Sequence, residues 1–255
     1  MKEYAPNWDF YMSLVDGEIS SITTDLNLRK IAPIGNQNHV VNLSIEMPHP
    51  RQDGLSSNED APMLWAIEDE IEAWLKQIDT DATSVGRLTS NGYRDLYYYV
   101  TSTAIDKLKN SVARVMSNYS LLKYKVGDKE DPTWGGYFNF LYPSPRQMRS
   151  IQNRRVIDQL LNEGDTLVKK RIVHHWIDFS DKGDMKKFEQ QVLQFGYDVV
   201  CVSKVKNVSS SKYSIQISRI DSVKYEDIDS YIIQLYDLAG MYNGHYNGWE
   251  TSVEQ

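Results

Sequence analysis

The chain has 255 residues, of which 41% are hydrophobic and 25% are charged, an ordinary balance for globular proteins. This length predicts two domains, each with enough apolar side chains to form a core. The net charge of -7 arises entirely in residues 1–145, because residues 146–255 carry equal numbers of acidic and basic groups. Neither half has the positive excess that non-specific nucleic-acid binding needs.

The sequence contains no run of about 18 apolar residues, so we predict no membrane span. Its polar N-terminal residues do not form the apolar core of a secretory signal. A single cysteine, Cys201, excludes an intrachain disulfide and favours a reducing compartment, the cytoplasm. Because Cys201 lies in the apolar run 199–202, we interpret it as a buried core residue rather than as a nucleophile.

The first half begins with strand-like sequence. Residues 8–15 and 19–28 predict two strands around a turn at Asp16-Gly17, and the alternation of residues 39–47 predicts a third. Asn91-Gly92 joins two further β-rich runs, 84–90 and 93–100. This dipeptide predicts a hairpin with a type I′ turn, because both of its central residues need positive φ.

Two helices are predicted between these strands. Ser56 and Glu59 have capping-box spacing, and an apolar stripe follows at helical intervals: Leu64, Ile67, Ile71, Trp74 and Ile78. Residues 103–117 predict the second helix. A strand over 119–126 and a strand-like aromatic segment over 134–142 complete this half.

Pro143-Ser144-Pro145 predicts a stiff link, so we expect domains at residues 1–143 and 146–255. The sequence of the second half predicts a helix over 146–163 that ends at Gly164, then a strand over 169–179. Asp181 can cap the next helix. A hairpin around Ser209-Ser210-Ser211, a helix over 225–242 and a short strand or extended tail over 246–251 follow.

Each half therefore has the order strand, helix, hairpin, helix, strand. This β-α-β-β-α-β order predicts an α+β protein of two ferredoxin-like domains with antiparallel sheets and both helices on one face. We expect the first domain to carry an additional N-terminal hairpin and the second an additional leading helix.

The order of short motifs in the second half resembles the regulator of ribonuclease E activity B family of bacteria. The motifs are residues 160–165 (LLNEGD), 173–177 (VHHWI), 195–197 (FGY) at a helix exit and 246–249 (YNGW). The first half, about residues 5–142, resembles the domain of unknown function 695. That resemblance is carried by residues 8–11, 53–55 and 85–87, the acidic helix with Leu64 and Glu68, Asn91-Gly92 and Arg94-Asp95 to Tyr99.

The resemblance implies a regulator that binds a protein partner, an RNA-degrading enzyme, and performs no chemistry of its own. It implies neither cofactor nor metal. The residues that match the family pattern, and that are therefore the candidates for a partner-binding surface, are His174, His175, Asp181, Tyr197 and Trp249. The chain ends six residues after Trp249 without the strongly acidic tail of the better-known members, which puts ribonuclease E itself in doubt as the partner.

The sequence lacks the common phosphate-binding and zinc-binding motifs. His174 and His175 are adjacent on a predicted strand, so they point to opposite faces and cannot both bind one metal without a bulge. We expect structural roles for them more than partner contact, and metal binding least.

Three features leave alternative functions open. Glu68 and Glu72 could bind a hard cation in a hydrolase, although a solvated acidic face is the simpler reading. Arg87 and Arg94 could hold an anion or form ion pairs. The aromatic run 97–99 could stack RNA bases, although the acidic surroundings favour packing or protein binding.

Overall fold

The computed structural model describes residues 4–77, 81–204 and 212–254. The chain divides into two compact units, residues 1–147 and 148–255. The predicted turn Ser209-Ser210-Ser211 and the predicted stripe residue Ile78 lie outside the described residues. None of the helices in the described ranges combines the length and the apolar character that a membrane crossing requires.

Within the described residues, the first unit is built on one antiparallel sheet and two α-helices. The elements are β1 (Trp8–Val15), β2 (Glu18–Asp25), β3 (His39–Glu46), α1 (Asp60–Gln77), β4 (Ala82–Ser90), β5 (Tyr93–Val100), α2 (Ile105–Met116) and β6 (Tyr124–Glu130). The strand order in the sheet is β1-β2-β4-β5-β3-β6. The segment from β3 to β6 has the predicted β-α-β-β-α-β order, and the β1–β2 hairpin extends the sheet beside β4.

Helices α1 and α2 cover the same face of this sheet. Alternate residues of β3, from Val41 to Ile45, are at most 1% exposed and pack in one cluster with Leu64 of α1 and Leu108 of α2. The predicted hairpin is confirmed, because Asn91 and Gly92 have φ values of 47° and 81° and join β4 to β5.

The start of α1 differs from the predicted capping box. The helix begins at Asp60, whose backbone N–H donates to the hydroxyl of Ser57 at 3.1 Å. The Ser56 hydroxyl instead accepts a long bond, 3.5 Å, from Arg94 on β5. Ser57 is the residue three positions before Asp60, so its oxygen, not that of Ser56, satisfies a free N–H of the first turn.

The predicted strand-like segment over 134–142 is wrong. Residues Gly136–Leu141 form a turn of π-helix, opened by an Asp131 carboxylate that accepts from the backbone N–H groups of Gly135 and Gly136 at 2.9 and 2.8 Å. The hydroxyl of Tyr99 donates to the same carboxylate at 2.5 Å. The segment thereby packs buried aromatic rings against the sheet face opposite α1 and α2, with Trp134 stacked on Tyr99 at 4.1 Å.

The described part of the second unit has a four-stranded antiparallel sheet and three α-helices. The elements are α3 (Pro145–Asn162), β7 (Arg171–Phe179), α4 (Lys182–Gln194), β8 (Asp198–Lys204), β9 (Tyr213–Asp221), α5 (Tyr225–Met241) and β10 (Gly244–Thr251). The strand order is β10-β7-β9-β8, and the chain from β7 to β10 again has the predicted β-α-β-β-α-β sequence. Pro145, predicted to belong to a link, is instead the first residue of α3, most of which lies in this unit, and proline is tolerated at that position.

A buried ion pair closes one end of this unit. Asp165 and Arg171 are 4% and 5% exposed, and their carboxylate and guanidinium form two hydrogen bonds. Asp165 also accepts from the backbone N–H groups of Leu167 and Glu254, both at 2.7 Å. The guanidinium and these N–H groups hold the pKa of Asp165 well below its usual range.

We predict that Asp165→Ala destabilises the second unit by about 3–5 kcal/mol, because it leaves the Arg171 charge buried and unpaired. Denaturant unfolding of the full chain, followed by the backbone amide NMR signals of the second unit, measures the loss. Asp198→Ala, at an exposed position of β8, is the matched control and should change stability by less than about 0.5 kcal/mol. Equal denaturant concentrations at the unfolding midpoints of the two variants would contradict the prediction.

Candidate partner-binding site in the second unit

Strand β7 places His174 and His175 on opposite faces of the sheet, as predicted. His175 is fully buried on the face covered by α4 and α5, opposite Ile217 of β9. His174 is half-buried on the other face, opposite Ser218 of β9 and Glu250 of β10. The alternation of a β-strand gives the two side chains different environments.

His175 lies in a buried aromatic cluster with Tyr197, Tyr231 and Tyr246. Its Nδ1 is 2.9 Å from the Tyr246 hydroxyl oxygen, and its ring meets those of Tyr197 and Tyr231 edge-on at 5.6 and 6.0 Å. The Arg219 guanidinium lies 4.1 Å from the centre of the Tyr197 ring. Burial, then the charge of Arg219, lowers the pKa of His175 to about 3, so it is neutral at pH 7.

Two polar atoms of this cluster have no hydrogen-bond partner among the described residues. They are His175 Nε2 and the Tyr197 hydroxyl, and both are buried. The structure thus brings together three of the five predicted site residues, because Trp249 is the register partner of His175 on β10, but His175 and Tyr197 lie in the core of the unit.

Asp181 and Trp249 each have hydrogen-bond partners outside the aromatic cluster. Asp181 caps α4, as predicted, by accepting from the backbone N–H groups of Gly183 and Asp184 at 2.7 and 3.0 Å. The indole N–H of Trp249 donates to Asn153 of α3 at 2.9 Å, which ties the last strand to the leading helix. A partner-binding role for the five residues stays a prediction, and His174 is the one on the helix-free sheet face.

The sheet face opposite α4 and α5 is here called the open face. Beside His174 it carries Trp176 and Asp178 of β7, Gln216 of β9 and Glu250 of β10. Sequence reasoning missed these neighbours of His174. The alternation of a strand could have predicted that residues 174, 176 and 178 share one face. The neighbours of these residues on β9 and β10 depend on the register of the sheet, which the sequence alone does not give.

Cys201 was predicted to be buried, and that prediction is wrong. The residue is exposed, with its sulfur 3.6 Å from the side-chain oxygen of Gln216. Strand β8 is the sheet edge, and its register shifts between Val199 and Cys201. The bulge and the edge position together turn Cys201 onto the open face despite its apolar neighbours.

In the first unit, Glu68 forms ion pairs with both candidate arginines. Its carboxylate accepts from Arg87 at 2.5 Å and from Arg94 at 2.7 Å, and Arg94 is 5% exposed. These contacts occupy the carboxylate proposed for a metal and the guanidinium groups proposed for an anion. Across the described ranges, no three His, Cys, Asp or Glu side chains come together as metal ligands.

Comparison with known proteins finds a family match for each half of the chain. Residues 6–142 match the family of unknown function DUF695. The chain belongs to this family. Residues 150–251 match Regulator of ribonuclease activity B, which confirms the predicted pairing of the two domains. A curated relative of that description, from Actinobacillus succinogenes, is 26% identical over 114 residues, which are 44% of this chain and 80% of the relative.

Two solved structures also align with the DUF695 chain. One is a putative glycine cleavage system transcriptional repressor, at 13% identity and a TM-score of 0.24, and the other is an unknown protein from Galdieria sulphuraria, at 8% and 0.23. Each alignment covers 84% of this chain and 98% of the other. At TM-scores this low, neither likeness carries an argument about fold or function.

The buried His175 predicts a specific pH dependence of stability. Its pKa is about 3 in the folded chain and 6.5 ordinarily, so below pH 6.5 the unfolded chain binds a proton that the folded chain does not. We expect a loss of about 1.4 kcal/mol for each pH unit well below 6.5, ending near pH 3. The measurement is the free energy of unfolding of the full chain from pH 7 to pH 4.

His175→Gln removes the titration and should flatten this part of the pH profile relative to the wild type. His39→Gln, on β3 of the first unit, is the matched control and should retain the wild-type slope. Parallel profiles for the wild type and His175→Gln would show that His175 is not responsible.

Proposed function

We propose that this protein is a cytoplasmic, non-catalytic regulator that binds a protein partner, an RNA-degrading enzyme, through its second unit. The observation that carries the proposal is the match of residues 150–251 to Regulator of ribonuclease activity B. The curated relative of that description matches 44% of this chain over 80% of the relative's own length.

The environments of the most reactive side chains support binding rather than chemistry. A general base needs access to a substrate proton, whereas His175 is fully buried. The thiol of Cys201 contacts the amide of Gln216, which cannot act as a base. Glu68 is held between two arginines.

The charge distribution supports a protein partner over RNA. Residues 146–255 have no net charge and residues 1–145 are acidic, so neither unit offers a phosphate backbone an overall attraction. In the first unit the aromatic rings of Tyr99 and Trp134 stack on one another in the core. Those rings are therefore unavailable to stack on bases.

We expect affinity capture with the full chain as bait to enrich an RNA-degrading enzyme from a lysate of the source organism. The enrichment should survive ribonuclease treatment, because the contact is between proteins. Mass spectrometry identifies the captured proteins, and an unrelated acidic protein of similar size serves as the control bait.

The purified enzyme should then cleave a test RNA at a different rate when the full chain is added. A catch that disappears after ribonuclease treatment would instead favour direct RNA binding. A catch without any RNA-degrading enzyme would refute the proposed partner.

A further inference from the structure

We infer that the open face of the second unit docks a basic, arginine-containing segment of a protein partner. This inference rests on the proposed function, in that it identifies the chemistry of the surface that the regulated partner presents.

The two sides of the sheet differ in charge. Strands β7 to β10 contain three basic residues, Arg171, Lys204 and Arg219, and the register puts all three in the rows that face α4 and α5. The open-face rows contain Asp178, Asp198 and Glu250, and no lysine or arginine. The open face is therefore acidic although residues 146–255 carry no net charge.

These carboxylates are not neutralised within the unit. No ion pair or hydrogen bond of the Asp178 or Glu250 side chain occurs among the described residues. The register neighbours of Asp178 are Ser214 and His245, and that of Glu250 is His174, none of them a lysine or arginine. A cationic segment would supply the missing countercharge, whereas a phosphate backbone would be repelled.

Trp176, at the centre of the open face, has open space beside it. Its partner on β10 is Gly248, and a side chain at that glycine would meet no atom within 4 Å. The indole is therefore flanked by a gap instead of a side chain. An arginine guanidinium can stack on an indole while it donates to a nearby carboxylate, a combination that lysine achieves less well.

His174 is a neighbour of Trp176 on the open face. Its ring centre is 6.2 Å from that of Trp176, and its Nδ1 is buried without a partner among the described residues. At the end of the face, Ile172 and Ile220 pair across β7 and β9 and are 51% and 65% exposed. A docked segment would thus find an aromatic platform, carboxylates and an apolar end on one surface, the mixture typical of protein interfaces.

The test uses the full chain and a fluorescently labelled arginine-serine repeat peptide, with a glutamate-serine peptide as the matched control. We expect the arginine peptide alone to bind by fluorescence anisotropy, with an affinity that falls as salt is added. In NMR spectra of the full chain, the peptide should shift the Trp176 indole N–H signal, which a Trp176→Phe spectrum assigns. The Trp249 indole signal should move less, since it belongs to the helix-covered side.

Two open-face variants, each with a matched control, localise the binding. Asp178→Asn with Glu250→Gln should weaken peptide binding about fivefold or more, whereas Glu163→Gln with Glu189→Gln, which removes the same charge outside the sheet, should change it less than about twofold. Trp176→Ala should weaken binding about tenfold, and Trp65→Ala, at an exposed tryptophan of α1, should not.

Equal affinities for the open-face and control variants, or shifts confined to the first unit, would overturn the inference. So would stronger binding of a uridine oligonucleotide than of the arginine peptide. If the wild type and the open-face variant capture the same RNA-degrading enzyme equally well, the proposed function stands and the docking face is wrong. If no such enzyme is captured but the peptide still binds at Trp176, the docking face stands and the proposed function is wrong.

Discussion

Both units depend on one constraint, the burial of a single face of an antiparallel sheet under two helices. Alternate strand residues must then be apolar, as in Val41, Leu43 and Ile45 of β3, while the residues between them are free to vary. In β7 the same rule buries His175 and leaves its neighbour His174 on the open face. The position of a residue in this alternation, more than its chemical type, decides whether it can serve a partner.

The two units treat the second face of the sheet differently. In the first unit the π-helical segment Gly136–Leu141 and Trp134 cover part of it, and Asp131 holds that segment in place. In the second unit the corresponding face carries half-buried and exposed side chains, including Trp176 and Ile220. A shared β-α-β-β-α-β plan thus gives a two-sided core in one unit and a surface suited to binding in the other.

Local signals were sufficient to predict much of the fold. Asn91-Gly92, the Asp181 cap and Gly164, with φ of 88°, each specify a turn or a helix end through their own backbone chemistry. The segment over 134–142 could not be predicted, because its helical turn depends on Asp131 and on Tyr99 from a distant strand.

The geometry of the candidate site could also be predicted only in part from the sequence. The opposite orientations of His174 and His175 follow from the strand period. The proximity of Glu250 to His174, and the exposure of Cys201, follow only from register and a bulge.

The strand order of the second unit also affects how it folds during synthesis. Strand β10 pairs with β7, so the last strand to be made completes the pairing of the first. Until Trp249 is available to Asn153, α3 lacks that anchor and one edge of β7 is bare. A nascent or truncated chain that stops before Gly244 therefore exposes an unpaired strand edge, the kind of surface that chaperones and proteases recognise.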